Sequence, residues 1–317
     1  MNQNALNPHI HLIGQGVISS LIATHALLAQ RPFTQYVRTK RSAPTMHWLS
    51  GDQYELPEAS VLSSMSANAN GLSGIIIIPT KAYQISTALS DLQNCIADDA
   101  VLILMHNGLG THETAQAMFP NQTIYAATTS MAGYAFTKSP HAQPCMQHTA
   151  WGQTQIGKIQ DAQHTRTKYS ADDHTLQYLR EIIPELQHKI DILDALYTKL
   201  AVNAVINPLT AIHNVKNGRL ADPEYLPPMQ AITQEIVMLA KRKELNLSYT
   251  QIWNTVLSIV HATSDNYSSM HQDIMHGRRT EVDFINGFVV REAQKIGLSV
   301  PENEKLLKHI HILEERL

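Results

Sequence analysis

Cysteine is nearly absent from this 317-residue chain: Cys95 and Cys145 are the whole complement. Two thiols cannot build a disulfide framework, so the expectation is two small core residues in a reducing compartment. Neither sign of charge dominates, with 24 Lys and Arg against 27 Asp and Glu and a formal net charge of -3. Nothing there calls for nucleic acid or an anionic membrane as partner. Continuous apolar runs stay far below the roughly 20 residues that span a bilayer. The opening MNQNALNP is polar, so no secretory leader is expected there. These absences predict a soluble cytoplasmic protein. Seventeen histidines are many, yet they are scattered and no Cys-x-x-Cys or His-Glu-x-x-His spacing occurs. No metal site is expected.

What the chain does have is two patterns in succession. HIHLIG, FTQYVR, GIIIIP, AVLILMHNG and TIYAATTS read as strands, with VISSLIATHALLAQ and AYQISTALSDLQNCI as helices between them. GIIIIP and AVLILM show no alternation, as expected of central parallel strands covered on both faces. WGQTQIGKI reads as shorter β structure closing this part. From about residue 195 onward the apolar period is helical, over 195–213, 226–244, 250–262, 280–296 and 303–316. Breaks fall at Asn217-Gly218, Pro227-Pro228, Asn246 and Gly297. The predicted class is α/β: an N-terminal Rossmann-type, mostly parallel sheet domain over 1–193, then an all-helical domain over 194–317.

Gly14-Gln15-Gly16-Val17-Ile18-Ser19 stands between the first strand and the first helix. This is the glycine-rich phosphate loop of a dinucleotide site, with serine in place of its third glycine. Gly14 allows the tight turn, and Gly16 lets the backbone approach a pyrophosphate resting on the helix N-terminus. A bare βα turn is the competing reading, but the position in a βαβ unit argues for the nucleotide. No acid follows the second strand. Arg38 stands there instead, with Lys40 and Arg41 behind it. A guanidinium fits a 2′-phosphate, which favours NADP over NAD. Lys81 and Asn107 each follow a buried strand, at the carboxyl ends where open α/β sheets bind ligands.

Lys199, Asn203 and Asn207 recur at steps of four in YTKLAVNAVINPLTAI. Each step of four turns about 400°, so the three side chains share one face of an otherwise apolar helix. A solvated helix face is the plain alternative. A lysine with two amides in dry surroundings instead suits a small anion bearing a carbonyl and hydroxyls, and the lysine can release a proton.

The runs GQGVIS, PTKAYQ, HNGLG, KLAVNAVINPLTAI, NYSSMHQDI and RTEVDFINGF resemble those of the ketopantoate reductase (2-dehydropantoate 2-reductase) family, over nearly the whole chain. The resemblance implies NADPH-dependent reduction of ketopantoate to (R)-pantoate, a step toward pantothenate and coenzyme A. It assigns NADP(H) binding to Gly14, Gln15, Gly16, Val17, Ile18, Ser19, Arg38, Lys81, Asn107, Ala132 and Glu281. Lys199 is implied as proton donor and substrate contact, with Glu281 beside it. Asn203, Asn207, Asn217, Asn266, Tyr267, Ser268 and Ser269 are implied to hold substrate, Ser269 foremost in its segment. Ser19 and the stretch around SMAGYAF depart from the family pattern. Two other readings share these residues: an NADP-dependent reductase of a different 2-oxo acid, and a non-catalytic NADP-binding regulator. Monomer and homodimer both remain open.

Overall fold

The computed structural model describes residues 8–62, 71–137, 143–159 and 174–316. The polar opening segment read as lacking a leader lies outside these, apart from Pro8. Strands are β1 (Ile10–Ile13), β2 (Phe33–Val37), β3 (Thr45–His47), β4 (Gln53–Glu55), β5 (Ser60–Val61), β6 (Ile75–Ile78), β7 (Val101–Met105), β8 (Thr123–Thr129), β9 (Ala132–Phe136), β10 (Cys145–Ala150), β11 (Thr154–Lys158) and β12 (Leu186–His188). Helices are α1 (Val17–Leu28), α2 (Ala82–Leu92), α3 (His112–Met118), α4 (His174–Ile182), α5 (Ile192–His213), α6 (Leu226–Arg242), α7 (Tyr249–Ala262), α8 (Ser269–Met275), α9 (Asn286–Lys295) and α10 (Pro301–Glu314). None is long and apolar enough to cross a membrane among the described residues.

Two compact units emerge. The first takes in the chain up to His106 together with Thr111–Ile192; the second is Asn107–Gly110 with Leu193–Leu317. The first unit is built on an eight-stranded sheet of order β12-β11-β8-β7-β6-β1-β2-β5. All its pairings are parallel except β8 with β11. The reason lies in the side chains. Ile75–Ile78 and most of Val101–Met105 are buried on both faces, which only a sheet covered twice can provide. Ile10, Leu12, Ile75, Ile77 and Ile103 point to a core shared with α1 and α4. Ile13, Ile76, Ile78, Leu102 and Leu104 point to the other, with Ile85 and Leu89 of α2 and Phe119 beyond α3.

A second sheet, β4-β3-β10-β9, was not expected from the sequence. Its strands are short, and β9 and β10 lack regular alternation of buried and exposed positions. They gain stability by packing on α1 rather than from their own pattern, with Met46, Trp48 and Met146 joining the first core.

Among its described residues the second unit holds only helices and 3₁₀ turns. Leu200, Ala204, Met229, Ile236, Val256, Val289 and Ile310 form its interior, each at most 1% exposed. Inside α5, Pro208 offers no N–H to the Ala204 carbonyl one turn back. Asn286 Nδ2 donates to that oxygen instead, at 3.1 Å. Asn286 also donates to Asn303 Oδ1 at 3.0 Å, and Asn303 Nδ2 to Glu235 Oε2 at 2.7 Å. The Glu235 carboxylate then accepts the backbone N–H groups of Glu302 (2.8 Å) and Asn303 (3.0 Å) in the first turn of α10. A buried acid on a helix N-terminus is favoured by the dipole and by those bonds.

Replacing Glu235 by Ala strands three donors, two of them on the buried Asn303. Urea unfolding should report a loss of about 2–4 kcal/mol; a loss under about 0.5 kcal/mol would show that water replaces the carboxylate.

Candidate functional site

In the first unit, the chain turns sharply after β1 at Gly14, whose φ is +101°. A Cβ there would stand 2.9 Å from Thr80 Cγ2. The turn is closed from within: Gly14 N donates to the Tyr36 carbonyl (2.8 Å), Ser19 Oγ to the Gly14 carbonyl (2.6 Å), and Gln35 Nε2 to Ser19 Oγ (2.9 Å). Serine thus does more than fit the third glycine position. Its fully buried hydroxyl ties the loop to β2.

Gly16 faces open space, with nothing within 4 Å of a built Cβ. It precedes α1, which has no side-chain cap and no acid in its first turn. The helix N–H groups are therefore presented to an anion. Gln15 Nε2 and Thr80 Oγ1 are buried without a hydrogen-bond partner among the described residues. An open backbone, an uncapped helix and two orphaned polar atoms beside one turn fit a dinucleotide phosphate. Thr80 is a further polar group at this turn, and its only signal in the sequence is the PTK run after β6. Lys81 follows as the residue capping α2. Ala132 opens β9, and a Cβ on the adjacent Gly133 would lie 2.8 Å from Val17 Cγ1, so this strand crosses the start of α1. Arg38, just past β2, gives its Nε to Asp91 Oδ2 at 3.0 Å. Both side chains are more than one-third exposed, and such a surface pair contributes only ~0.2–1 kcal/mol.

In the second unit, three predicted residues meet. Asn107 Nδ2 donates to Glu281 Oε2 at 3.1 Å, and Glu281 is 4% exposed. Its charge acts on Lys199. Burial strips hydration from the Lys199 ammonium and pulls its pKa from 10.5 to about 8, with the Glu281 carboxylate opposing the fall. The expected helix over 280–296 begins only at Asn286, because the preceding residues form a 3₁₀ turn over Val282–Phe284. The Phe284 carbonyl is diverted to accept Leu109 N–H at 2.9 Å. Gly108 makes that contact possible: its φ is +80°, and any Cβ would collide with the Phe284 carbonyl. The HNGLG run therefore delivers Asn107 to Glu281.

Asn203 is half-buried on α5 and Asn207 is 7% exposed. Asn217 opens a 3₁₀ turn, and its N–H donates to the Asn266 carbonyl at 2.9 Å. The neighbouring Gly218 N–H reaches the Ser264 carbonyl at 3.1 Å. Asn217 Nδ2 donates to Thr263 Oγ1 (2.9 Å), while its buried Oδ1 has no partner among the described residues. Tyr267 stacks on His271 at 4.4 Å. Ser268 caps α8, accepting His271 N–H at 3.1 Å, and takes the Thr210 hydroxyl at 2.7 Å. Ser269 begins the same helix in an exposed position. Of the two serines, the hydroxyl of Ser268 is committed to structure and that of Ser269 faces outward.

The chain matches two family models, Ketopantoate reductase PanE/ApbA over residues 10–161 and Ketopantoate reductase PanE/ApbA C terminal over 191–314. It is 32% identical to the 2-dehydropantoate 2-reductase of Vibrio cholerae, covering 97% of this chain and 98% of that protein. To the Shigella flexneri enzyme of the same name it is 34% identical, over 75% of this chain and 73% of the relative. Among solved structures, the probable 2-dehydropantoate 2-reductase PanE of Bacillus subtilis superposes with a TM-score of 0.75 at 25% identity, covering 96% of this chain and all of the other. A D-mandelate dehydrogenase bound to NADH and anilino(oxo)acetate reaches 0.84 at 22% identity, covering 97% and 99%. At that identity the likeness is one of fold.

Gly108→Ala should displace the Leu109–Phe284 contact. The strained φ and the collision should lower stability by at least ~2 kcal/mol, with a matching loss of any activity that needs Asn107 at Glu281. Unchanged denaturation and turnover would refute this account of the loop.

Proposed function

The chain belongs to the ketopantoate reductase family, and from that premise we propose that it reduces 2-dehydropantoate to pantoate with NADPH as reductant. When bound, the dinucleotide supplies the hydride. The observation that carries the reading is Lys199, a half-buried cation held near a buried carboxylate on the polar stripe of an apolar helix.

Hydride arrival at the ketone carbon places negative charge on the carbonyl oxygen. The Lys199 ammonium stabilises that charge and passes its proton to the oxygen. A pKa near 8 suits the task, since the ammonium is present at neutral pH yet parts with its proton readily. Glu281 keeps Lys199 charged in dry surroundings, and Asn107 keeps Glu281 in line by its 3.1 Å bond. Asn203 and Asn207 supply amides to the hydroxyl and carbonyl oxygens. Asn217, with its unpartnered Oδ1, and the segment 266–269 close on the far end, where Ser269 offers an exposed hydroxyl to the carboxylate.

Toward the cofactor, Gly14 to Ser19 and the N-terminus of α1 would hold the pyrophosphate, with Lys81 and Ala132 beside them. Arg38 would hold the 2′-phosphate in place of its weak contact with Asp91, a stronger charge-assisted pairing.

Two experiments test this. Lys199→Ala should lower kcat/KM for 2-dehydropantoate by about 10²–10⁴-fold. In the unsubstituted enzyme, kcat/KM should be level below pH about 8 and fall tenfold per unit above it, because the acid form is lost as pH rises through the lysine pKa. Turnover of Lys199→Ala within tenfold of the parent would eliminate the lysine as proton donor. For Arg38→Ala, KM for NADPH should rise by about tenfold or more while KM for NADH stays put. Equal losses with both would remove the 2′-phosphate assignment.

A further inference from the structure

Glu281 and Asn286 lie on one short segment, joined by a turn in which the Phe284 and Ile285 N–H groups both donate to the Glu281 carbonyl, at 3.0 and 3.1 Å. Glu281 faces Lys199, whereas Asn286 faces the middle of α5. The point where it touches α5 is specific. Pro208 cannot donate to the Ala204 carbonyl, and Ala204 is completely buried, so that oxygen has no water to turn to. Asn286 Nδ2 supplies the missing donor at 3.1 Å. Ala204 sits between Asn203 and Asn207, five residues beyond Lys199. The bond therefore grips the very turn whose outer face carries the amide stripe.

Asn286 is suited to that grip because it cannot drift. It is fully buried, and its second amide hydrogen is held by Asn303 Oδ1 at 3.0 Å. Asn303 is in turn held by the Glu235 carboxylate at 2.7 Å, which is anchored on the first turn of α10. The Asn286 oxygen has no partner among the described residues. The side chain thus acts through its two donors.

We propose that Asn286 is a positioning residue for the Lys199–Glu281 pair and the amide stripe: it replaces the backbone N–H that Pro208 withholds from α5, and so locks the turn bearing Asn203 and Asn207 to the segment bearing Glu281. The proposal rests on the reading of Lys199, Asn203 and Asn207 as the substrate-handling face. Its function follows from the loss of the helix's own bond at Pro208. A proline in mid-helix frees the two halves of α5 to hinge, and Asn286 selects one angle.

The test is a cycle of four proteins: the parent, Asn286→Ala, Pro208→Ala and the double variant. Each is assayed per mole of folded enzyme with NADPH and 2-dehydropantoate. Asn286→Ala should raise KM for the oxo acid at least tenfold and lower kcat/KM by about 10²-fold, as a displaced contact face does. KM for NADPH should remain within twofold. Pro208→Ala restores the helical N–H, so in that background loss of Asn286 should cost no more than about threefold. A purely structural role would lower the yield of active protein and leave KM unmoved. That result, or equal losses in both backgrounds, overturns the proposal. If Asn286→Ala does not fold, Asn286→Ser replaces it in both arms of the cycle. Lys199→Ala, run alongside, separates the two failures. Retained turnover there defeats the proton-donor reading, while a dead Lys199→Ala with an unmoved Asn286→Ala defeats only this one.

Discussion

A carboxylate cannot be buried alone, and the burial of Glu281 organises the second unit. At 4% exposure its charge requires partners. Lys199 supplies the opposite charge and Asn107 a hydrogen bond. Each partner imposes its own demand on the chain. Asn107 reaches Glu281 only if Gly108 adopts a left-handed conformation against the Phe284 carbonyl. Lys199 must lose hydration, which lowers its pKa to about 8. A lysine on the surface would hold its proton too firmly to be well matched to neutral pH.

The same logic of unsatisfied groups runs through both units. In the first, α1 is left uncapped and Gly16 open, while Gln15 and Thr80 each keep a buried polar atom without a partner. Buried polar groups are ordinarily bonded, so two orphaned atoms beside one open turn fit a ligand there. In the second, one such gap is mended internally: Pro208 orphans the Ala204 carbonyl and Asn286 satisfies it.

Much of this was legible in the chain. Parallel strands follow from GIIIIP and AVLILM because unbroken β-branched and apolar runs need cover on two faces. The helical half follows from its period. The stripe of Lys199, Asn203 and Asn207 follows from spacing alone. Other features left no such mark. The small sheet β4-β3-β10-β9 has strands of three to six residues, too short or too irregular to show a period of two. The start of α9 was read too early, since the residues around Glu281 are compatible with a helix until the Leu109 N–H claims the Phe284 carbonyl. In the sequence Ser19 is only a replacement for the third glycine; its bonds to Gly14 and Gln35 depend on β2 lying alongside.

By itself the sequence determined periodicity, local turn chemistry and the identity of groups able to accept a phosphate or give up a proton. These depend on neighbours a few residues apart. Tertiary structure decided which of those groups are dry and which meet: that Asn107 closes on Glu281 across 174 residues of chain, that Ser268 caps a helix while Ser269 faces outward, and that Asn286 answers for Pro208. Desolvation and hydrogen-bond satisfaction are properties of surroundings, and the surroundings are assembled only when distant segments pack.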